Sequence, residues 1–356
     1  MSSQVPGKRP EKRHDTLWFS DGNVVLSAVE ESTGDAIVFR IHKSSLAKQS
    51  KVFESMFKLP QGKNTDGGVV EAYGGLKLPL VRVPDAAEDV EALLEALYDP
   101  LPLFQKPLFS DTPLRLRRAL HMASKYLMDD LRLKLIRIVE YEWPNDLDNM
   151  EEKDRIMDDI IDRHEGFFAV THWPAHFIPE PAAAIALAED FDIPTILPFA
   201  YYDLLRCSPG SNWDEDFDKE IEDAMFRFKV TKMGGKSARW DTLSANSLLK
   251  TLQLQEYIER QYNTQFQMFR TRIYQCRRPP SECQKTWLDL LKKFGELPGS
   301  VQGRDIIRTL RDLDFELTGA EPLGLVCTVC RIVYSSHIYE ARTNVWNGVE
   351  NICSAR

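Results

Sequence analysis

The stretch "FRIHKSSLAKQSKVFESMF", Phe39–Phe57, changes its period within a few residues. Ahead of it, "NVVLSAV" (23–29) and "AIVFRI" (36–41) are rich in β-branched residues and are joined by "EESTGD", which carries a glycine turn. That pattern predicts a β-hairpin. Behind it, Leu46, Phe53, Met56 and Phe57 fall on one helical face, with Ser44 and Ser50 as caps for two short helices. Strand side chains alternate with period 2 and helix side chains recur with period 3.6, so the chain has to turn at His42 and Lys43 to bury both patterns together. His42 is then either a general base or a packing residue at a fold corner.

The remainder of the first 143 residues extends this reading. "PQGKNTDGGVVEAYGG" is too polar and glycine-rich for a regular element. "LKLPLVRV" (76–83) is a third strand candidate, followed by Pro84 and a helix start in which Asp85 and Glu88 have capping-box spacing. Val90, Leu93, Leu94 and Leu97 form the apolar stripe of that helix. After the breaker "YDPLPLFQKP", Thr112 and Pro113 open a helix whose predicted core face is Leu116, Leu120, Ala123 and Leu127. Asp129 or Asp130 opens another, with Leu131, Leu135 and Ile138 inward, ending at Trp143-Pro144. Residues 15–143 are thus expected to form one α+β domain, a small sheet flanked by helices. Residues 1–14 carry Lys8, Arg9, Lys12 and Arg13 and no apolar leader segment, and read as a solvated disordered tail in preference to a basic address tag.

From 144 to 356 the periodicity is helical, with no strand evident before the last quarter and a candidate division at 208–212, where "SPGSN" is a breaker. No fixed-period repeat points to a solenoid. Hydrophobic residues make up 43% of the 356 and charged residues 28%, the balance of an ordinary globular chain. A net charge of −9 argues against a general nucleic-acid binder, and no apolar run reaches membrane-spanning length. Six cysteines without a secretory leader point to an intracellular, reducing setting, cytoplasm or nucleus.

Enzyme motifs fail on inspection. "MGGKS" (233–237) lacks the first glycine of a phosphate loop, because position 230 is Val230. His172 and His176 have metal spacing on a helix, but Pro174 between them would break that helix. The acidic run from Asp214 to Asp223 reads as a solvated face. No catalytic residues are assigned, and the chain is not expected to be an enzyme; an unrecognised enzymatic or zinc-dependent activity in 144–356 is the competing reading. The metal signal lies in cysteines. Cys327 and Cys330 form a C-x2-C knuckle, and Cys276 and Cys283 lie upstream in "CRRPPSEC". Four thiolates can hold a tetrahedral structural zinc. The wide spacing of the upstream pair keeps free thiols, without a cofactor, as the other reading.

The run from Phe39 to Phe57 resembles the heart of a BTB/POZ domain: Phe39, His42, Lys43, Leu46, Ser50, Phe53, Met56 and Phe57 match its pattern of strand, aromatic, histidine, basic residue and helical apolars. "WFSDGNVVL" before it, and "LLEALYDPLP" and "ALHMASKYLMDDLRLKLIRIVE" after it, fall where that family has its first strand and later helices. The segments "ALAEDFDIPTILPFAYYDLLR" and "CTVCRIVYSSHIYEARTNVWNGV" are similar to the C-terminal part of fungal BTB-domain proteins. The resemblance implies a protein-interaction scaffold that forms homodimers through this domain or docks other protein chains, in some members as a substrate adaptor of cullin-3 ubiquitin ligases. It implies that His42 packs between strand and helix. It also implies that Lys43 lines a charged dimer pocket, whose acidic partner lies early in the first strand, where this chain has Asn23, with Asp21 two residues before. Adaptors of that kind carry a hydrophobic-x-Glu motif, to which Val69-x-Glu71 corresponds.

Overall fold

In the computed structural model, the two β-branched runs pair antiparallel as β2 (Val24–Val29) and β3 (Ala36–Ile41), with Val24 opposite Ile41 and Val29 opposite Ala36. The turn between them passes through Gly34 at φ 74°, a left-handed conformation that glycine adopts without steric cost. The structure describes residues 11–58, 71–73, 78–100, 111–165, 179–212, 236–272, 276, 281–295, 305–318 and 326–354. The chain divides into two units: Met1–Leu108 with Thr112–Tyr141, and Phe109–Asp111 with Glu142–Arg356.

The N-terminal unit is mixed α/β. Its five-stranded sheet has the order β1-β3-β2-β5-β4, where β1 is Glu11–Trp18, β4 is Glu71–Tyr73 and β5 is Leu78–Ala86. Strand β1 runs parallel to β3, β5 runs parallel to β2 with Leu26 opposite Val81, and β4 is antiparallel to β5. Val25, Val38 and Leu80 form a buried cluster across the central strands, with Trp18 and Leu78 packed against it. The chain leaves β3 directly into α1 (Lys43–Gln49) and α2 (Lys51–Lys58), and it buries Leu46 and Phe53 completely. Met56 and Phe57, expected on the same face, are only half-buried. Helices α3 (Ala87–Tyr98), α4 (Thr112–Lys125) and α5 (Asp129–Glu142) complete the unit's regular elements among the described residues.

Several sequence expectations need correction here. Residues 11–14 are not tail but part of β1, a charged edge strand whose backbone pairs with Ala36–Val38. The polar loop at 60–75 contains β4. Ser44 lies inside α1, whose cap position is His42, whereas Ser50 does serve α2, its Oγ accepting from the Phe53 amide at 3.1 Å. Strand β5 runs on through Pro84 and Asp85, so Ala86 takes the cap position of α3. Asp85 instead becomes a buried acceptor for the Tyr126 hydroxyl at 2.5 Å and for Lys125. Helix α4 stops two residues short of Leu127. That residue takes φ 50° while Met128 N–H bonds to Ala123 O and Leu127 N–H to Ser124 O, the double bond pattern that closes a helix with one left-handed residue. The Leu127 side chain points outward, 59% exposed. In α5, Leu131 and Leu135 are buried as expected, while Val139 takes the inward place given to Ile138.

The C-terminal unit is mostly helical: α6 (Leu147–Glu165), α7 (Pro181–Phe191), α8 (Leu197–Leu205), α9 (Ala245–Thr271), α10 (Ser281–Gly295), α11 (Ile306–Thr318) and α12 (Thr328–Ser354). Against expectation it also holds strands, β6 (Cys207–Asn212) and β7 (Lys236–Ala238), which pair in parallel. The 208–212 segment is therefore a strand within one unit and not a boundary between two. The "AAAIALA" run is the buried face of α7. Its N-terminus is capped by Glu180, which accepts from Ala182 N–H at 3.0 Å and Ala183 N–H at 2.8 Å. No helix among the described residues is long and apolar enough to cross a membrane.

Candidate functional site

At the His42 corner the ring nitrogens and the His42 and Lys43 amides all have side-chain partners. The Tyr98 hydroxyl accepts from the His42 amide at 3.0 Å and lies 3.2 Å from Nδ1; Asp21 Oδ1 lies 3.2 Å from Nε2. The imidazole also leans on Phe19, at 5.4 Å between centroids, and Phe19 stacks on Tyr98 at 4.7 Å. The carboxyl of Asp21 is held below its ordinary range by a backbone N–H and then by His42. Asn23 Oδ1 accepts from the Lys43 amide at 2.8 Å, satisfying a donor in the first turn of α1, and the Lys43 ammonium lies 5.8 Å from the Phe57 ring centroid. The fold thus brings Asp21, Asn23, His42 and Lys43 together, with Asp21 paired to the imidazole and Asn23 to the backbone. Deeper in, Ser50 Oγ donates to Tyr126 O at 2.6 Å, and Phe53 stacks on the Tyr126 ring at 4.4 Å. Phe39, stacked on His14 at 5.0 Å, closes the other side of β3.

That histidine was not singled out by its sequence context. It lines a cavity of about 410 Å³ together with Glu88, Glu91 and Glu95 of α3, above Ile37 and Phe39. His14 Nε2 meets Glu91 Oε1 at 2.9 Å and Nδ1 accepts from Leu17 N–H at 3.1 Å. Burial, with Glu91 beside it, raises the carboxyl of Glu95.

In the C-terminal unit the four cysteines named from sequence meet. The sulfurs of Cys276, Cys283, Cys327 and Cys330 all lie within 4.8 Å of one another, and all four are free thiols. Helix spacing explains how they converge. Cys283 and Trp287 are four residues apart on α10, Cys330 and Tyr334 four apart on α12, so each thiol extends the face that carries its ring. The two buried rings stack at 4.3 Å and 4°, which aligns the helices and places their cysteines side by side. Cys327 immediately precedes α12, and its carbonyl accepts from Arg331 N–H, so the C-x2-C spacing puts one thiol at the helix entrance and the other one turn inside. Cys276 Sγ lies 3.8 Å from Cys283 Sγ and 3.6 Å from Cys327 Sγ. Four sulfurs about 2.3 Å from a tetrahedral zinc stand about 3.8 Å apart, so the two distances from Cys276 match an ion of that kind. The Cys330 backbone N–H and thiol bring the Cys327 thiol down to about 6, whereas burial pushes Cys283 and Cys330 up. The cluster can hold a metal ion.

A second polar centre in this unit was invisible to motif reading. Arg206, at the C-terminus of α8, forms a two-pronged pair with Asp154 of α6, both contacts at 2.7 Å. Its Nε lies 2.8 Å from Asp305, and Asp203 is 3.4 Å away. Tyr202 donates to Asp305 at 2.9 Å and sits under the guanidinium. His172, His176, Asp214–Asp223, Val230 and the Val69-Val70 segment lie outside the described residues; of "MGGKS", only Lys236 and Ser237 are described, in β7. Comparison with protein-family models, with curated proteins and with solved structures finds no match in any of the three.

Proposed function

We propose that the chain is a protein-interaction scaffold whose N-terminal unit is a BTB/POZ domain, working through self-association and partner docking. The observation that carries this reading is the handover of the hairpin β2–β3 into α1 and α2, with Leu46 and Phe53 of those helices buried and β5 and α3 following in the order the resemblance implies. The His42 corner supports a packing role in place of a catalytic one, since both ring nitrogens face side-chain partners. Leu127, Leu133 and Tyr141, each more than half exposed, supply apolar surface that a self-complementary contact would bury. Light scattering on the full chain at high micromolar concentration is expected to give twice the chain mass; a monomer there would sink the proposal. Service as a cullin-3 adaptor is a specialisation of the same reading, distinguished by co-purification of cullin-3.

The convergence of Cys276, Cys283, Cys327 and Cys330 supports a further part of the reading, one structural zinc in the C-terminal unit. Bound there, the ion ties the segment after α9 and the starts of α10 and α12 into one knot, and its binding energy becomes folding energy. Elemental analysis of protein never exposed to chelator is expected to find one zinc per chain. Finding none would end that part. A cytoplasmic or nuclear location, where thiols stay reduced, belongs to the same proposal.

A further inference from the structure

The four sulfurs are not equivalent. Cys283 and Cys330 are buried beside the stacked pair Trp287 and Tyr334, while Cys276 and Cys327 are only partly covered. The partly covered two are also close neighbours, 3.6 Å between sulfurs. Neither lies within a helix: Cys276 stands between α9 and α10, and Cys327 just ahead of α12. An oxidant arriving from solvent therefore meets two adjacent thiols, one between helices and one at a helix entrance, with two buried thiols behind them.

Resting on the zinc reading, we propose that the centre is a peroxide-labile staple, in which oxidation of Cys276 and Cys327 to a disulfide releases the metal. One thiolate attacks a peroxide oxygen, the O–O bond breaks and hydroxide leaves, forming a sulfenic acid. The other thiolate attacks that sulfur, forms the S–S bond and expels a second hydroxide. Two protons convert the hydroxides to water: the sulfur pair gives up two electrons and hydrogen peroxide takes them. The sulfurs need to close from 3.6 Å to about 2.05 Å. Cys283 and Cys330 are then the only thiolates of the four left to hold the ion, and two ligands do not retain zinc as four do. The buried pair and its ring seam keep α10 and α12 in register, so a thiol reductant and fresh zinc restore the centre.

The test uses the full-length, zinc-loaded chain treated with hydrogen peroxide. A chromogenic zinc indicator follows release, and non-reducing peptide mass mapping identifies the bond. The expected result is one equivalent of zinc released per chain and a Cys276–Cys327 cross-link, both reversed by dithiothreitol with added zinc. Cys353→Ala, which removes a buried cysteine outside the cluster, should release zinc to the same extent. Zinc retained under excess peroxide, or expelled with a Cys283–Cys330 bond or with sulfinic acids and no disulfide, overturns this proposal and leaves the structural zinc standing. A chain that binds no zinc before peroxide overturns both.

Discussion

Arg206→Ala is expected to destabilise the C-terminal unit by about 3–5 kcal/mol, because it removes from a buried nest of carboxylates the guanidinium that pairs with three of them. Asp154, Asp203 and Asp305 face this guanidinium from α6, α8 and the entrance of α11, and the four side chains are at most 10% exposed. Without the arginine, those carboxylates must protonate or draw in water, and either course costs free energy at neutral pH. The charge sits at the C-terminus of α8, where the helix dipole also favours a cation. Hydrogen exchange read by mass spectrometry should show faster exchange in α6, α8 and α11, with peptides of the β2–β3 hairpin unchanged. Lysine at 206 should recover only part of the loss, since it cannot make the two-pronged contact with Asp154. Unaltered exchange in Arg206→Ala would mean the network contributes nothing net.

Phe53→Ala is expected to cost about 3–5 kcal/mol in the N-terminal unit. Phe53 is 1% exposed and stacks on Tyr126, whose carbonyl in turn accepts from Ser50, so truncation opens a cavity where α2 meets the end of α4. Met56→Ala should cost clearly less, because that side chain is already half-exposed. Faster exchange across 36–58, larger for Phe53→Ala than for Met56→Ala, is the measurement; equal effects would contradict the packing described.

What could be read in advance was what is local. The hairpin was legible because β-branched runs and a glycine turn act within a few residues, and the turn into α1 because the apolar spacing changes there. Strand β1 was missed since "EKRHDTLW" has no apolar alternation; an edge strand needs only its backbone to pair. Strand β6 was missed because Pro209 and Gly210 mimic a breaker, and its partner lies beyond a long intervening segment. Asp85 had the spacing of a cap, but the sheet claimed its backbone first and left the carboxylate to Tyr126. The four thiols could be named from spacing, whereas their convergence depends on the Trp287–Tyr334 stack. Of the partners of Arg206 only Asp203 is near it in the sequence; Asp154 and Asp305 are 52 and 99 positions away.

The sheet order has a kinetic consequence. Strand β2 takes one neighbour, β3, from across a short turn and the other, β5, from roughly fifty residues downstream, with α1 and α2 between them. The hairpin can therefore zip early with little loop-closure entropy, while the parallel edge waits until the intervening segment has looped back. Until then one side of β2 offers bare amides and carbonyls to any passing extended chain. A nascent copy would be most prone to mispairing in that interval, and a chaperone would most profitably shield that open flank.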